Sequence, residues 1–344
     1  MQPDLKTQLI AIVNAVTFSA AGDVTFAGRS SSYAAPATDS GLGPSGNPRV
    51  AALQQLFYGY CYCRHFAGVP AALPDTAPPG EGLQASELIQ ALSAANTSQD
   101  HWSAGWQLMQ TLPNGQIVAV KGSMTRTVWP GEFHGHGPPG VQIAAGGGIS
   151  LFAPRESRTS QPGFYFAFGE ALADQQEDFG ILRLYWNVTA EGAPSLLGII
   201  TERFNRFAIP FRFKCLEMPD LFDRSDAAVL YIAKRHYRIA AAILPDMVSA
   251  IRAQLKPHTP LFSKHLASGL ALAEDPRTGE SFGMNRCRLL AEAVCRAQEQ
   301  GGSSAEARLL EIERSFEAAG LSLDRPWLNA GSRDQYPFEE SRAA

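Results

Sequence analysis

Cysteine is scarce here: five among 344 residues (Cys61, Cys63, Cys215, Cys287 and Cys295), an odd number with no C-x-x-C pair. That excludes a disulfide framework and the usual spacing of a structural zinc site, and it points to a reducing compartment. No stretch approaches the roughly twenty apolar residues needed to span a bilayer, and the N-terminus lacks the basic, apolar, small-residue succession of a secretory signal. The expectation is a cytoplasmic protein with no membrane partner. A basic excess is also missing, since 29 Lys and Arg stand against 33 Asp and Glu for a formal charge of -4. A general nucleic-acid binder is thereby excluded. Gly146-Gly147-Gly148 occurs without the Lys and Ser/Thr that complete a P-loop, and there is no Gly-x-Ser-x-Gly elbow, so neither nucleotide binding nor serine hydrolysis has a motif.

What is present is a chain that is 45% hydrophobic, enough to build a substantial core. Helical spacing of apolar residues predicts helices over 5–20, 48–66 and 85–95, separated by Ser/Gly/Pro-rich connectors near 30–48 and 70–82. After Asn96 the pattern shortens into strands. Pro113-Asn114-Gly115 between two alternating runs predicts a hairpin, and the Gly/Pro/His-rich stretch 130–148 predicts a loop. Strands are expected at 163–168, 181–188, 209–216 and 227–233, with helices over 195–207, 234–255 (interrupted near Pro245), 282–298 and 304–319. The divisions are a helical N-terminal region (1–95), an α+β domain (96–330) and a disordered tail (331–344). The fold expected is α+β, a mixed and largely antiparallel sheet with the N-terminal and C-terminal helices packed on its apolar side.

The strand-like runs carry cations where a sheet interior should not. From Ile181 to Arg238 there are nine Lys or Arg against six Asp or Glu, in a chain that is acidic overall. Residues two apart share a face of a strand, so Arg183, Tyr185 and Asn187 oppose Leu182, Leu184, Trp186 and Val188, while Arg212 and Lys214 oppose Phe211, Phe213 and Cys215. Two readings fit: a polar face open to water, or a face that holds a small anion. The repetition over several runs favours the anion.

The runs LSAANTSQDHWSAGWQL (92–108), GFYFAFGE (163–170), RLYWNV (183–188), IPFRFKCL (209–216), RSDAAVLY (224–231) and the segment from Pro260 to Val294 resemble, in order, the HopA family of type III effectors. The resemblance extends from about Ala91 to Ala319. It implies one of two functions. One is a non-catalytic effector that binds host immune proteins. The other is a lyase of ribosomal peptide biosynthesis, of the class V lanthipeptide and thioamitide kind, in which a separate kinase phosphorylates Ser or Thr of a precursor peptide and the HopA-like partner removes phosphate to leave dehydroalanine or dehydrobutyrine. The lyase reading implies no metal and no organic cofactor.

For that chemistry Arg126, Arg183, Arg212, Arg224 and Arg286 are the candidate phosphate binders, because a planar guanidinium suits a phosphate dianion. Lys214, flanked by Phe213 and Cys215, is the first candidate for the base and Lys121 the second, since desolvation and neighbouring cations lower a lysine's pKa. Tyr185 and Tyr231 either contact the phosphate or satisfy their hydroxyls at a core edge. His134, in the His134-x-His136 pair, is a candidate general acid or an ordinary loop histidine, and two histidines without a third ligand do not make a metal site. Glu274 and Asp275 either orient cations or cap the helix that follows, capping being the expectation.

Overall fold

The structure, a computed structural model, describes residues 1, 3–19, 23–30, 46–68, 83–138, 140–173 and 180–339. Most of both expected connectors, and the last five residues of the expected tail, lie outside these residues.

The N-terminal region begins with α1 (Pro3–Asn14), which leads into a small antiparallel sheet of β1 (Val16–Phe18), β2 (Val24–Phe26) and β3 (Arg29–Ser30). A helix over 5–20 was expected, but it stops at Asn14. The β-branched and aromatic Val16, Thr17 and Phe18 pair with Val24–Phe26 instead. The α2 helix (Pro48–Phe57) starts with Asn47, whose side chain accepts a hydrogen bond from Arg49 N at 2.9 Å, and with Pro48 in the first turn. It passes into a π-helical turn, Tyr58–Tyr62, in which Cys63 N donates to Tyr58 O at 2.9 Å. Next comes α3 (Leu83–Ala95).

A five-stranded sheet follows, made of β4 (His101–Thr111), β5 (Ile117–Lys121), β6 (Met124–Val128), β7 (Phe133–Gly135) and β8 (Gly148–Ala153) in the order β6-β5-β4-β8-β7. The Asn-Gly hairpin joins β4 to β5, with Gly115 at φ +88°, a region that costs a residue with a Cβ. This sheet has a small core of its own around Trp106, Leu108, Ile117 and Ile149.

The main sheet has seven strands: β9 (Glu156–Ser157), β10 (Phe164–Phe168), β11 (Ile181–Trp186), β12 (Phe211–Leu216), β13 (Ala228–Ala233), β14 (Lys264–Ala267) and β15 (Leu270–Glu274), in the order β14-β15-β11-β13-β12-β10-β9. Between and after these strands lie α4 (Ala193–Arg206), α5 (Tyr237–Ala250), α6 (Phe282–Glu299) and α7 (Ala305–Ala318). The α+β class read from the sequence holds. Every strand pairing among the described residues is antiparallel, and the strands form three sheets where one was expected. No described helix is long and apolar enough to cross a membrane.

Both faces of the main sheet are covered. Leu182, Leu184, Trp186, Phe213 and Cys215 are fully buried on one face, where α4 packs with Phe204 edge-on to Phe211 at 5.7 Å. Each of these large apolar side chains contributes about 1.5–3 kcal/mol by leaving water. The other face, which carries the cations, is partly roofed by the π-turn and α6. Tyr62 and Phe282 sit 6.2 and 6.3 Å from the Tyr185 ring. Gly283 permits that approach, because a Cβ there would collide with the Tyr62 ring. The N-terminal and C-terminal helices were expected on the apolar side; α2 and α6 instead meet on the polar one.

The segment 331–339 is not a free tail. Tyr336 is 4% exposed and its hydroxyl donates to Glu274 Oε1 at 2.6 Å. Glu274 Oε2 also accepts from Asn329 N and Ser332 Oγ, at 2.9 and 2.7 Å, and Lys264 Nζ donates to Tyr336 O at 2.8 Å. These partners tie the segment down in a way that its own composition does not announce.

Candidate functional site

Strand register assembles the site. Arg183 on β11 stands opposite Tyr231 on β13, which stands opposite Arg212 on β12. Directly opposed residues share a face, so the two guanidinium groups flank one phenol ring, with their central carbons 5.3 and 4.5 Å from its centroid. In the next row of the same face come Tyr185, Val229, Lys214 and Phe166. The loop entering β13 adds Arg224 and Asp226. Alternation in the sequence predicted which side chains share this face, and the register supplies what alternation cannot, namely which of them are neighbours.

The four cations differ in their partners. Arg183 Nε donates to Asp275 Oδ2 at 2.8 Å. Burial opposes its charge, but Tyr185, Tyr231 and Asp275 outweigh burial and raise its pKa further. Arg224 grips Asp226 through Nε and Nη2, at 2.8 and 2.9 Å, and its Nη2 also donates to Tyr58 OH at 3.2 Å. Burial alone would raise the Asp226 pKa, but the Arg224 charge and hydrogen bonds, with help from Lys214, hold the carboxyl below its ordinary value. Arg212 is exposed and makes no ion pair with a carboxylate among the described residues. It is the cation best placed to meet an incoming anion.

Lys214 Nζ lies 3.7 Å from the Phe164 ring centroid and donates to Gln161 Oε1 at 3.0 Å. Burial pushes its pKa down; Asp226 resists, while Arg183, Arg224 and Arg212 add to the fall, and the ammonium settles at about 8. That leaves about one molecule in ten with a free amine at pH 7, and half at pH 8. Tyr231 is 8% exposed and burial raises its pKa, so its hydroxyl remains protonated at neutral pH.

Other expected residues lie elsewhere. Arg286 is 1% exposed on α6, where Nε donates to Pro326 O and Nη2 to Leu328 O, both at 2.9 Å. It clamps the C-terminal segment, so the phosphate-binding role expected for it is corrected to a structural one. Lys121 ends β5 with Nζ donating to Ala104 O at 2.5 Å, and His134 lies on β7 against Trp102 at 4.7 Å. Both belong to the five-stranded sheet, and among the described residues no hydrogen bond, ion pair or ring contact joins either to the cation face. Tyr185 is 2% exposed between Tyr62 and Phe282 and belongs to the core. Asp275 does not cap α6, whose first turn is capped by Ser281, the acceptor from Met284 N at 3.3 Å; it orients Arg183.

Arg126, on β6, lines a cleft of about 640 Å³ between the two larger sheets, together with Arg212 and Tyr231. Two site residues escaped the sequence reading. Asp226 sits inside the RSDAAVLY run with only Arg224, two residues away, as a signal. Tyr58 reads as packing because only the π-turn aims its hydroxyl at Arg224.

Chemically the face has an exposed guanidinium with no carboxylate partner among the described residues, two guanidiniums held by carboxylates, an amine whose pKa is lowered to about 8 and a protonated phenol. The arrangement suits a phosphate ester whose neighbouring carbon must lose a proton.

Residues 155–328 match the HopA1 effector protein family. Among solved structures the chain is similar to the effector protein from Pseudomonas syringae pv. tomato strain DC3000, with 17% identity, 82% of this chain and 91% of that chain covered, and a TM-score of 0.44. It is also similar to the effector protein from Pseudomonas syringae pv. syringae strain 61, with 14% identity, 75% and 85% covered, and a TM-score of 0.41. No curated protein matches. The family match contains every strand of the cation face and runs over just over half of the sequence, so the chain belongs to the HopA1 effector protein family.

Proposed function

We propose that the protein is a phosphoserine/phosphothreonine lyase that eliminates phosphate from a phosphorylated precursor peptide, with a separate kinase supplying the substrate. The observation that carries this reading is that Arg183 and Arg212 flank Tyr231 on one sheet face, with Lys214 in the next row and its pKa lowered to about 8 by burial and by the nearby Arg183, Arg224 and Arg212.

In the reaction the Lys214 amine takes the Cα proton, the Cα–H electron pair becomes the Cα=Cβ bond, and the Cβ–O bond breaks so that phosphate leaves with its electrons. Arg212 and Arg183 hold the phosphate and stabilise the charge that grows on its bridging oxygen, which is the largest contribution expected of such a site. Tyr231 OH donates a hydrogen bond to the leaving oxygen, and the Lys214 ammonium is neutralised when its proton passes to phosphate or to solvent. A phosphate dianion also draws the Lys214 pKa back up, so the arginines must carry most of its charge for the amine to act.

The alternative, a non-catalytic effector-type protein that binds a host partner, draws on a different feature. Trp102 and Phe152 are 47% and 40% exposed on the five-stranded sheet and touch edge-on at 5.4 Å, an aromatic patch of the sort partners cover.

The test incubates the purified protein with phosphothreonine and phosphoserine peptides and follows free phosphate and the dehydrated product by mass spectrometry. Turnover is expected, with Arg212→Met lowering kcat/KM by about 10²–10³ through weakened phosphate capture. A folded protein that releases no phosphate from any such peptide between pH 6 and pH 9 sinks the lyase reading.

A further inference from the structure

The cleft between the two larger sheets takes an arginine from each. Arg126 comes from β6 and Arg212 from β12, and both line the same space of about 640 Å³. Both side chains are exposed, and among the described residues neither makes a hydrogen bond or an ion pair; Arg212 only lies over the Tyr231 ring. Among the described lining residues the one carboxylate is Glu132, whose Oε2 already accepts from Trp129 N at 2.8 Å. Two unmatched guanidiniums against one engaged carboxylate make the cleft a place for anions, in a chain whose formal charge is -4.

The cation face accounts for one of these two arginines. Arg212 and Arg183 flank Tyr231, with Lys214 in the next row, so a phosphate ester seated there already has its cations. Arg212 and Tyr231 also belong to the cleft, which makes the cleft and the face continuous. Arg126 is left over. It stands on the other sheet, and among the described residues no hydrogen bond, ion pair or ring contact joins it to Tyr231 or to the cations of the face. If round, a space of about 640 Å³ would be about 11 Å across, the length of roughly three residues of extended chain. A peptide whose phosphate sits at Arg212 therefore brings a nearby side chain, not the same phosphate, to Arg126.

We propose that Arg126 is a second anion subsite, which binds an acidic side chain of the substrate peptide within about three residues of the phosphorylated one while Arg212 holds the phosphate. This rests on the phosphopeptide reading of the cation face and adds to it a substrate class, a phosphopeptide with an anionic neighbour. A carboxylate and a second phosphate both offer that charge, and the planar guanidinium fork accepts either. Because Arg126 is exposed, the pair has the strength of a surface ion pair, about three- to fivefold in affinity, and salt weakens it.

The experiment uses the full chain and fluorescein-labelled peptides centred on a phosphonomethyl analogue of phosphothreonine, whose carbon–phosphorus bond cannot be eliminated. Fluorescence anisotropy scans a single glutamate along the flanks on both sides of the analogue, against glutamine at the same place. Glutamate is expected to tighten binding about three- to fivefold at one or two adjacent positions, within about three residues of the analogue, and the gain is expected to shrink in about 0.5 M salt. Arg126→Met and Arg126→Gln, each checked for a native melting curve, are expected to erase the gain while leaving the all-glutamine peptide unchanged, and Arg126→Lys to keep part of it. A second phosphonomethyl residue at the favoured position separates the two sources: a gain beyond that of glutamate assigns the subsite to a second phosphate, and a gain no larger assigns it to a carboxylate. No gain at any position, an equal gain at every position, or a gain that survives in whichever variant folds overturns the subsite. So does an all-glutamine peptide weakened as much as the glutamate one, since Arg126 would then hold the phosphate itself. Phosphate release from ordinary phosphothreonine peptides, measured in parallel, reports on the elimination reading alone. A position-specific gain without release refutes the lyase and leaves the subsite standing, while release without such a gain does the reverse.

Discussion

Replacing Lys214 with methionine should make this protein more stable at neutral pH while removing its proposed base. The side chain is folded against Phe164 among three arginines, and its pKa falls from 10.5 to about 8. In the unfolded chain the lysine keeps its ordinary pKa, so between pH 8 and pH 10.5 the unfolded state binds more protons than the native one. Wild-type stability therefore rises with pH across that window. Below pH 8 the full cost of keeping the ammonium charged is present, and above pH 10.5 it has vanished. The depression of 2.5 pKa units (10.5 less about 8) corresponds to about 3 kcal/mol at pH 7 as a ceiling. Methionine fills the same volume without a charge, so Lys214→Met should recover up to that amount at pH 7 and almost nothing at pH 10.5. For a chain of 344 residues the unfolding entropy near the midpoint is about 0.7 kcal/mol/K, so the gain reads as a rise of about 4 °C in Tm. The assay is a pair of thermal melts, wild type and variant, at pH 7 and pH 10.5. A variant less stable than wild type at pH 7, or a gain that does not shrink at the higher pH, would show that Lys214 is not held against its charge. Stabilisation coupled to lost turnover is the pattern of a group kept strained for function.

Two further outcomes follow from the buried carboxylates. Asp226→Asn leaves Arg224 without its carboxylate partner and should cost about 3–5 kcal/mol in urea denaturation, whereas Asp226→Leu combined with Arg224→Met should be close to neutral. An Asp226→Asn loss below about 1 kcal/mol would contradict the buried-pair account. Tyr336→Phe removes a 2.6 Å donor from Glu274, whose pKa hydrogen bonds from Lys234, Tyr336, Ser332 and Asn329 lower against the opposing effect of burial. The variant should lose about 1.5–3 kcal/mol at pH 7. Because the depressed carboxyl's contribution is present above its unfolded pKa and disappears as pH falls through its folded one, the difference between variant and wild type should fade in acid. A difference that stays constant from pH 7 to pH 3 would refute it.

The sequence by itself determined the α+β class, the long helices and the composition of the cation face. Those depend on local spacing: the 3.6-residue period of α6, the Asn114-Gly115 turn, and the two-residue alternation that put Arg183 with Tyr185 and Arg212 with Lys214. Local spacing did not find β14 and β15, whose Ala-rich run Leu270–Glu274 takes its form from pairing with β11. Nor did it find the anchoring of residues 331–339, which Glu274 holds through Ser332 and Tyr336 and Lys264 holds through Asp334 and Tyr336.

Tertiary structure alone decided which cations share a site. Arg286 and Arg212 look alike in sequence, yet Arg286, on α6, is held by the backbone carbonyls of Pro326 and Leu328 while Arg212 stands exposed beside Tyr231. Asp275 became a member of the site because strand pairing brought it to Arg183 from 92 residues away, and Asp226, local to Arg224, because its loop enters β13 near Lys214. The physical reason is one of range. Side-chain period and turn chemistry are written within a few residues of chain, but the dielectric surroundings of a charge, and therefore its pKa and its freedom to bind, are set by whatever distant segments pack against it.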